Sequence, residues 1–222
     1  MPRYAISDIH GCCKTFRYLV EEELRLQPQD HLYLLGDYID RGPDSKGVLE
    51  YILSLREKGY QVTTLSGNHE DMLLHARDNA AHRMAWLRIS GGETLKSFDA
   101  ESLDGISPRY WDFLEQLELY VALEDYLLVH AGFDFSLQDP FSDRESMLWI
   151  RHFEVDVTVL GNRKIVHGHT PTPLSKMEHS LKTEQRPVIN IDGGCTYGAG
   201  YGYLTALNLD TLQLHRVRNR ET

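Results

Sequence analysis

Along the first third of the chain, short apolar runs alternate with stretches whose apolar positions recur every three or four residues, the pattern of strands followed by helices. Tyr4 to Ser7 is an expected strand, after which Phe16, Leu19, Val20, Glu23 and Leu24 mark a helix with an apolar stripe. Leu32 to Leu35 is a second strand. Asp44 or Ser45 then caps a helix that buries Val48, Leu49, Ile52, Leu53 and Leu55 and ends near Gly59. Val62 to Leu65 makes a third strand and Glu70 to about Ala80 a third helix, with Asn68 and His69 just ahead of its first turn. Strand, loop and helix thus recur, which favours a sheet with helical crossovers.

From about His82 to Ile106 neither period fits well, and the stretch reads as an irregular or helical insertion near a cleft. A clearer helix follows, with Ser107 as cap, Pro108 at its first position and Tyr110, Trp111, Phe113, Leu114 and Leu117 along it. Beyond it come expected strands at Tyr120 to Leu123, Tyr126 to Val129, Lys164 to Val166, Val188 to Ile191, Tyr203 to Asn208 and Gln213 to Val217. Several are joined by short turns, as antiparallel pairs are. The expected architecture is α/β, two sheets packed face to face with helices outside.

Composition narrows the class. A chain of 222 residues, 41% of them hydrophobic, buries one sizeable core, and with no long Ser-, Pro- or Gly-rich linker a single domain over residues 1–222 is expected. Its 33 acidic residues against 23 basic ones give a formal charge of −10, which argues against nucleic-acid or polybasic membrane partners but not against an anion held at a locally positive cleft. Cys12, Cys13 and Cys195 are few and lack a Cys-x-x-Cys spacing, so neither a disulfide framework nor a thiolate zinc site is favoured. The chain enters a strand at once, without an apolar signal core or a run of membrane-spanning length, and a cytoplasmic location is expected.

The chemistry sits where strands end. Asp8-Ile9-His10, Gly36-Asp37-Tyr38-Ile39-Asp40-Arg41-Gly42 and Gly67-Asn68-His69-Glu70 each follow an apolar run, as do His130-Ala131-Gly132 and His167-Gly168-His169. Loops leaving the carboxyl ends of neighbouring strands converge on one crevice, so ligands distant in sequence become close in space. Carboxylate, amide oxygen and imidazole together read as a two-metal hydrolase, and they suit borderline divalent ions better than magnesium or calcium. His167 lies two residues from His169, and His169 is preferred as the ligand. Gly-rich Asp192 to Gly198 lacks a nucleotide-binding spacing and is expected to form a cleft-edge loop with Tyr197 near substrate.

In this order the motifs resemble the phosphoprotein phosphatase family of calcineurin-like metallophosphoesterases, over residues 8 to 169. The resemblance implies that family's fold. It also implies one metal held by Asp8, His10 and Asp37, a second held by Asp37, Asn68, His130 and His169, and Asp37 as the bridge. Manganese is the expected ion, with iron or zinc as alternatives. Metal coordination lowers the pKa of water from about 15.7 to roughly 7, so a hydroxide between the ions is the implied nucleophile. His69, paired with Asp40, is implied as the acid that protonates the leaving oxygen. Arg41 and Arg151 would clamp phosphate oxygens through forked hydrogen bonds.

The small bacterial serine/threonine protein phosphatases of this family are similar in length and share the Gly-Asp-Tyr-x-Asp-Arg-Gly form, so a protein phosphatase acting on a phosphorylated protein or peptide is the expected function. Symmetrical bis(5'-nucleosyl)-tetraphosphatases share the motifs and are the alternative. Protein phosphatases of the eukaryotic type carry an arginine immediately before Gly-Asn-His-Glu; here Ser66 stands in that place and one phosphate clamp is missing. A nucleotide enzyme should show an aromatic or cationic platform, and a protein phosphatase an open groove; Trp86 and the region from 82 to 106 could build either. A catalytically dead binding module is disfavoured because every expected ligand is present.

Overall fold

The computed structural model describes residues 1–182 and 187–221. Strands β1 (Arg3–Ile6), β2 (His31–Leu34) and β3 (Gln61–Thr64) alternate with helices α1 (Cys13–Tyr18), α2 (Ser45–Glu57) and α3 (Asn68–Asp78). Helix α1 runs on through a wider turn, Leu19–Glu23. Then come α4 (Ala80–Trp86), α5 (Gly92–Ser97), α6 (Pro108–Glu115), β4 (Tyr120–Ala122), β5 (Tyr126–Val129), α7 (Arg144–Trp149) and α8 (Val157–Leu160). The chain closes with β6 (Lys164–His167), α9 (Leu174–Leu181), β7 (Val188–Asn190), β8 (Tyr203–Asn208) and β9 (Leu214–Arg218).

The strands form a five-stranded sheet, β3-β2-β1-β8-β9, and a four-stranded sheet, β4-β5-β6-β7. Alternation along each strand divides the core. Tyr4, Ile6, Leu32 and Leu34 face the helices. Ala5, Tyr33 and Leu35 face the opposite way and pack against Tyr126, Leu128, Val166 and Ile189 of the second sheet. A one-residue slip would exchange these two faces, so burial on both sides fixes the register.

This is the calcineurin-like fold, α/β with two sheets flanked by helices, and three local expectations are corrected. Strands β8 and β9, expected with the later set, join the first sheet, where β8 runs antiparallel to β1 with Ile6 opposite Ala206. Among the described residues, only β4–β5 and β8–β9 are antiparallel neighbours in sequence; β5, β6 and β7 are parallel, because the connections between them carry α7, α8 and α9 and are long enough for crossovers. Helix α3 begins at Asn68, so Asn68 and His69 lie in its first turn rather than ahead of it. Elsewhere the local reading matches: Asp44 caps α2 by accepting from the Gly47 N–H at 2.8 Å.

The region from 82 to 106 is helical. It follows no single period because a wide turn, Leu87–Gly91, separates α4 from α5. Gly91 lies against the Trp86 indole, where any Cβ would collide with the ring. No helix among the described residues is long and apolar enough to cross a membrane.

Candidate metal centre

Three loops at the carboxyl ends of β1, β2 and β3 are sewn together by backbone. The Ile9 and His10 N–H groups donate to the Asp37 carbonyl at 2.9 and 2.8 Å, and the Gly42 N–H donates to the His10 carbonyl at 3.0 Å. Glu70, fully buried in α3, accepts from the Asp37 and Tyr38 N–H groups at 2.8 Å each and from Gly67 at 2.9 Å. A side chain at Gly67 would strike the Asp37 carboxylate, so glycine is required by close approach. Several residues of the centre sit on left-handed backbone: His10, Asp37, Asp40, Arg41 and His169 have φ of 47°, 53°, 70°, 67° and 67°. For residues with a Cβ that region costs about 1–3 kcal/mol each and persists only where the surroundings hold it.

Two trios of buried side chains result, His10, Asp37 and His69, and Asp37, His130 and His169. Asp37 belongs to both. In the first, His10 Nε2 lies 3.4 Å and His69 Nε2 4.0 Å from Asp37 Oδ2. In the second, His130 Nε2 lies 3.6 Å from Asp37 Oδ1, 3.2 Å from His169 Nδ1 and 3.0 Å from Asn68 Oδ1. Asn68 Oδ1 is also 3.0 Å from His169 Nδ1. Asp8 is buried beside them; it accepts from the His169 N–H at 3.1 Å and from the Ser7 hydroxyl, and lies outside both trios. His167 is buried too, but its Nδ1 turns to the Gly168 carbonyl and it belongs to neither trio.

The donor set fits a pair of divalent cations. The Nδ1–H of His10 donates to the Ile39 carbonyl at 3.0 Å and that of His130 to the Leu35 carbonyl at 2.9 Å. Each Nε2 therefore presents a lone pair to the cluster. His130 Nε2, Asn68 Oδ1 and Asp37 Oδ1 turn acceptor atoms toward one another, an arrangement that a cation relieves. Burial, reinforced by the His130 imidazole, holds His169 down to about 3, so its ring is neutral and able to ligate. Burial pushes the Asp37 carboxyl well above the usual range, with Asp8 and Glu70 adding to the push and His69 opposing it; a bound cation reverses that logic.

His69 differs. Its Nδ1 is held by Asp40 at 2.7 Å. Burial alone would lower it, yet Asp37 and Asp40 outweigh burial and leave the imidazole above its ordinary value. Asp40 is itself fixed by the Trp86 Nε1–H at 2.9 Å and the Thr94 hydroxyl at 2.6 Å, both from the 82–106 helices. That is what this region does for the site, and nothing in its sequence pattern marks Trp86 or Thr94 for it. Glu70 was also missed as a positioning residue, although its place three residues after Gly67 is the spacing of a helix capping box.

Arg41 donates to His10 Nε2 at 2.8 Å, lies 3.2 Å from His69 Nε2, and its guanidinium is 5.4 Å from the ring centroid of Tyr197, which is 44% exposed. The lone pair of His10 cannot serve both this guanidinium and a cation, so His10 bound to a cation would leave Arg41 free for other acceptors. Arg151 is exposed, and its charge helps to lower His169.

Comparisons with known proteins agree on the family and correct the substrate. A Nitrosomonas europaea protein named symmetrical bis(5'-nucleosyl)-tetraphosphatase is 36% identical over 176 residues, which are 77% of this chain and 59% of that protein. One of the same name from Ectopseudomonas mendocina is 33% identical over 133 residues, 60% of this chain and 45% of that protein. The chain thus spans about half the length of these relatives. A crystal structure of a provisionally assigned diadenosine tetraphosphatase superposes with a TM-score of 0.70 at 19% identity, covering 100% of this chain and 95% of that one, and supports the fold.

These relatives overturn the expected serine/threonine protein phosphatase and, with it, the phosphorylated protein or peptide partner. The motifs build the centre where phosphorus reacts and carry no information about what flanks it, so motifs alone weighted the wrong substrate. The model of the calcineurin-like phosphoesterases matches residues 1–210, and the chain belongs to that family of hydrolases.

Proposed function

We propose that this chain hydrolyses symmetrical dinucleoside tetraphosphates, the diadenosine compound first among them, to two nucleoside diphosphates. The observation that carries the reading is the buried pair of trios sharing Asp37, in a chain whose relatives are named for that reaction. Residues 1–222 act as one calcineurin-like domain. Asp8, His10 and Asp37 hold one divalent cation, and Asp37, Asn68, His130 and His169 hold the other. The mixed donor set suits a borderline ion, and manganese is the one to load first. When bound, the two cations neutralise charge on phosphoryl oxygens and lower the pKa of the attacking water.

The chain's own residues do the rest. His69, oriented by Asp40, holds a proton at Nε2 for the leaving phosphate oxygen. Arg41 and Arg151 grip the non-bridging oxygens, which are stronger acceptors than the ring nitrogens that Arg41 now meets. Tyr197 borders the substrate beside Arg41. The test is kcat/KM for diadenosine tetraphosphate in metal-stripped and manganese-loaded protein, with products resolved by chromatography. ADP as the sole product, dependent on manganese, supports the reading; no turnover with two metals bound overturns it.

A further inference from the structure

Two clefts border the centre. The first, of about 600 Å³, is lined by Asp71, His75, His82, Trp86, Arg144 and Trp149, among others. It reaches the second trio through Trp149, whose ring stands edge-on to His169 with centroids 6.3 Å apart. The second cleft, of about 490 Å³, is lined by Arg41, Tyr197, Tyr201 and Arg218, among others. It reaches the first trio through Arg41 and its contact with His10.

Both clefts offer what a nucleoside binds. In the first, Trp149 is 39% exposed, the exposed rings of His75 and His82 meet edge to face at 5.6 Å, and Asp71, paired with Arg144 at 2.6 Å, supplies a carboxylate acceptor. In the second, Tyr197 and Tyr201 stand 6.1 Å apart, with Arg41 over the former and Arg218 over Tyr203 at 5.9 Å. Exposed aromatic faces stack on a base whatever its identity, and flanking cations meet its phosphates.

We infer that each cleft seats one nucleoside of the substrate, and that the metal centre, bordered by one cleft at His169 and by the other at His10, thereby selects the central phosphate linkage. The inference rests on the dinucleotide reading above and adds to it which surfaces count the phosphates. Attack at a central phosphorus leaves two phosphates on either nucleoside, so a centre bordered by two nucleoside pockets holds that linkage in place. Water loses a proton to solvent as its oxygen bonds to phosphorus, the bridging P–O bond breaks, and the departing oxygen of the second diphosphate takes the proton from His69, which solvent then restores.

The test is the stoichiometry of ADP binding to manganese-loaded protein by calorimetry, alongside tryptophan fluorescence. Trp86 and Trp149 line the first cleft and Trp111 lines neither, so quenching by ADP reports the first cleft. The side chains to be changed are all exposed, which keeps the core intact. Two ADP per chain are expected. The double substitution His75→Ala with His82→Ala should remove one of them together with the quenching, and Tyr197→Ala with Arg218→Ala should remove the other and spare the quenching. Each double variant should raise KM for diadenosine tetraphosphate by tenfold or more and begin to release ATP and AMP. Turnover by the unaltered enzyme to two ADP with only one ADP site, or with two that neither variant weakens, overturns this inference alone. Absence of turnover overturns the reading beneath it as well.

Discussion

The two ends of the same strands solve opposite problems. At the amino ends, Arg3 opens β1 and forks onto Asp125, just ahead of β5, at 2.8 and 2.9 Å, while its Nε–H donates to Asp210, just after β8, at 2.8 Å. Charges there are opposite, half-exposed and paired, and they tie the two sheets together. At the carboxyl ends, Asp8, Asp37 and Asp40 are buried among imidazoles, and Asp37 and Asp40 sit on backbone held in the left-handed region. One end is arranged to hold the fold. The other carries costs that its neighbours offset in part, through Glu70, Trp86 and Thr94, and that a bound cation would offset further.

Substitutions at the two ends should therefore separate activity from stability. Asp37→Asn takes the shared ligand from both trios and should lower kcat by more than about 10³-fold, with loss of bound metal by elemental analysis; full metal content would show that Asp37 is not the bridge. His69→Asn should keep both metals and lose about 10²–10³-fold in kcat, less with a good leaving group. Loss of metal in that variant would make His69 a ligand and remove it as the acid.

Trp86→Phe shrinks a fully buried ring and deletes the N–H on Asp40. A fall of about tenfold in kcat is expected, with a lower melting temperature from the cavity left beside Gly91, and an unchanged kcat would show that Asp40 needs no such orientation. At the amino ends, Arg3→Ala should leave kcat alone and cost about 1 kcal/mol in urea unfolding. Its pH dependence has a definite sign. The hydrogen bonds from Arg3 hold the Asp125 carboxyl below its ordinary value, so the contribution is present above the usual carboxylate pKa and is lost as pH falls through the depressed one. Arg3→Ala should flatten that part of the acid-unfolding curve; an unaltered curve would sink the assignment.

Much of this contrast is legible in the sequence, unevenly. The carboxyl-end loops announce themselves because ligand-bearing residues follow apolar runs, and the alternation in β1, β2 and β5 fixes which side chains meet between the sheets. The amino-end staple is silent, since Arg3, Asp125 and Asp210 are ordinary charged residues until the sheets bring them together. Trp86 and Thr94 were hidden because a wide turn between α4 and α5 breaks the helical repeat in the segment that carries them. The placement of β8 beside β1 depended on pairing across nearly the whole chain, which no local period encodes. Substrate was the least legible, because the surfaces beside the centre are assembled from α3, α4, α7 and the loop around Tyr197, which no motif joins.

The left-handed backbone at Arg41 bears on how this sequence can drift. Its side chain is only half-buried, and a glycine there would relax the main chain by about 1 kcal/mol, so a library selected only for heat resistance has a downhill route through it. That route ends in a sturdier protein with an empty grip, whereas the neighbouring Asp40, on similar backbone, is held against it by the buried donors it satisfies. A pool enriched in glycine at 41 but not at 40 after such a selection would record which force had been acting on the chain.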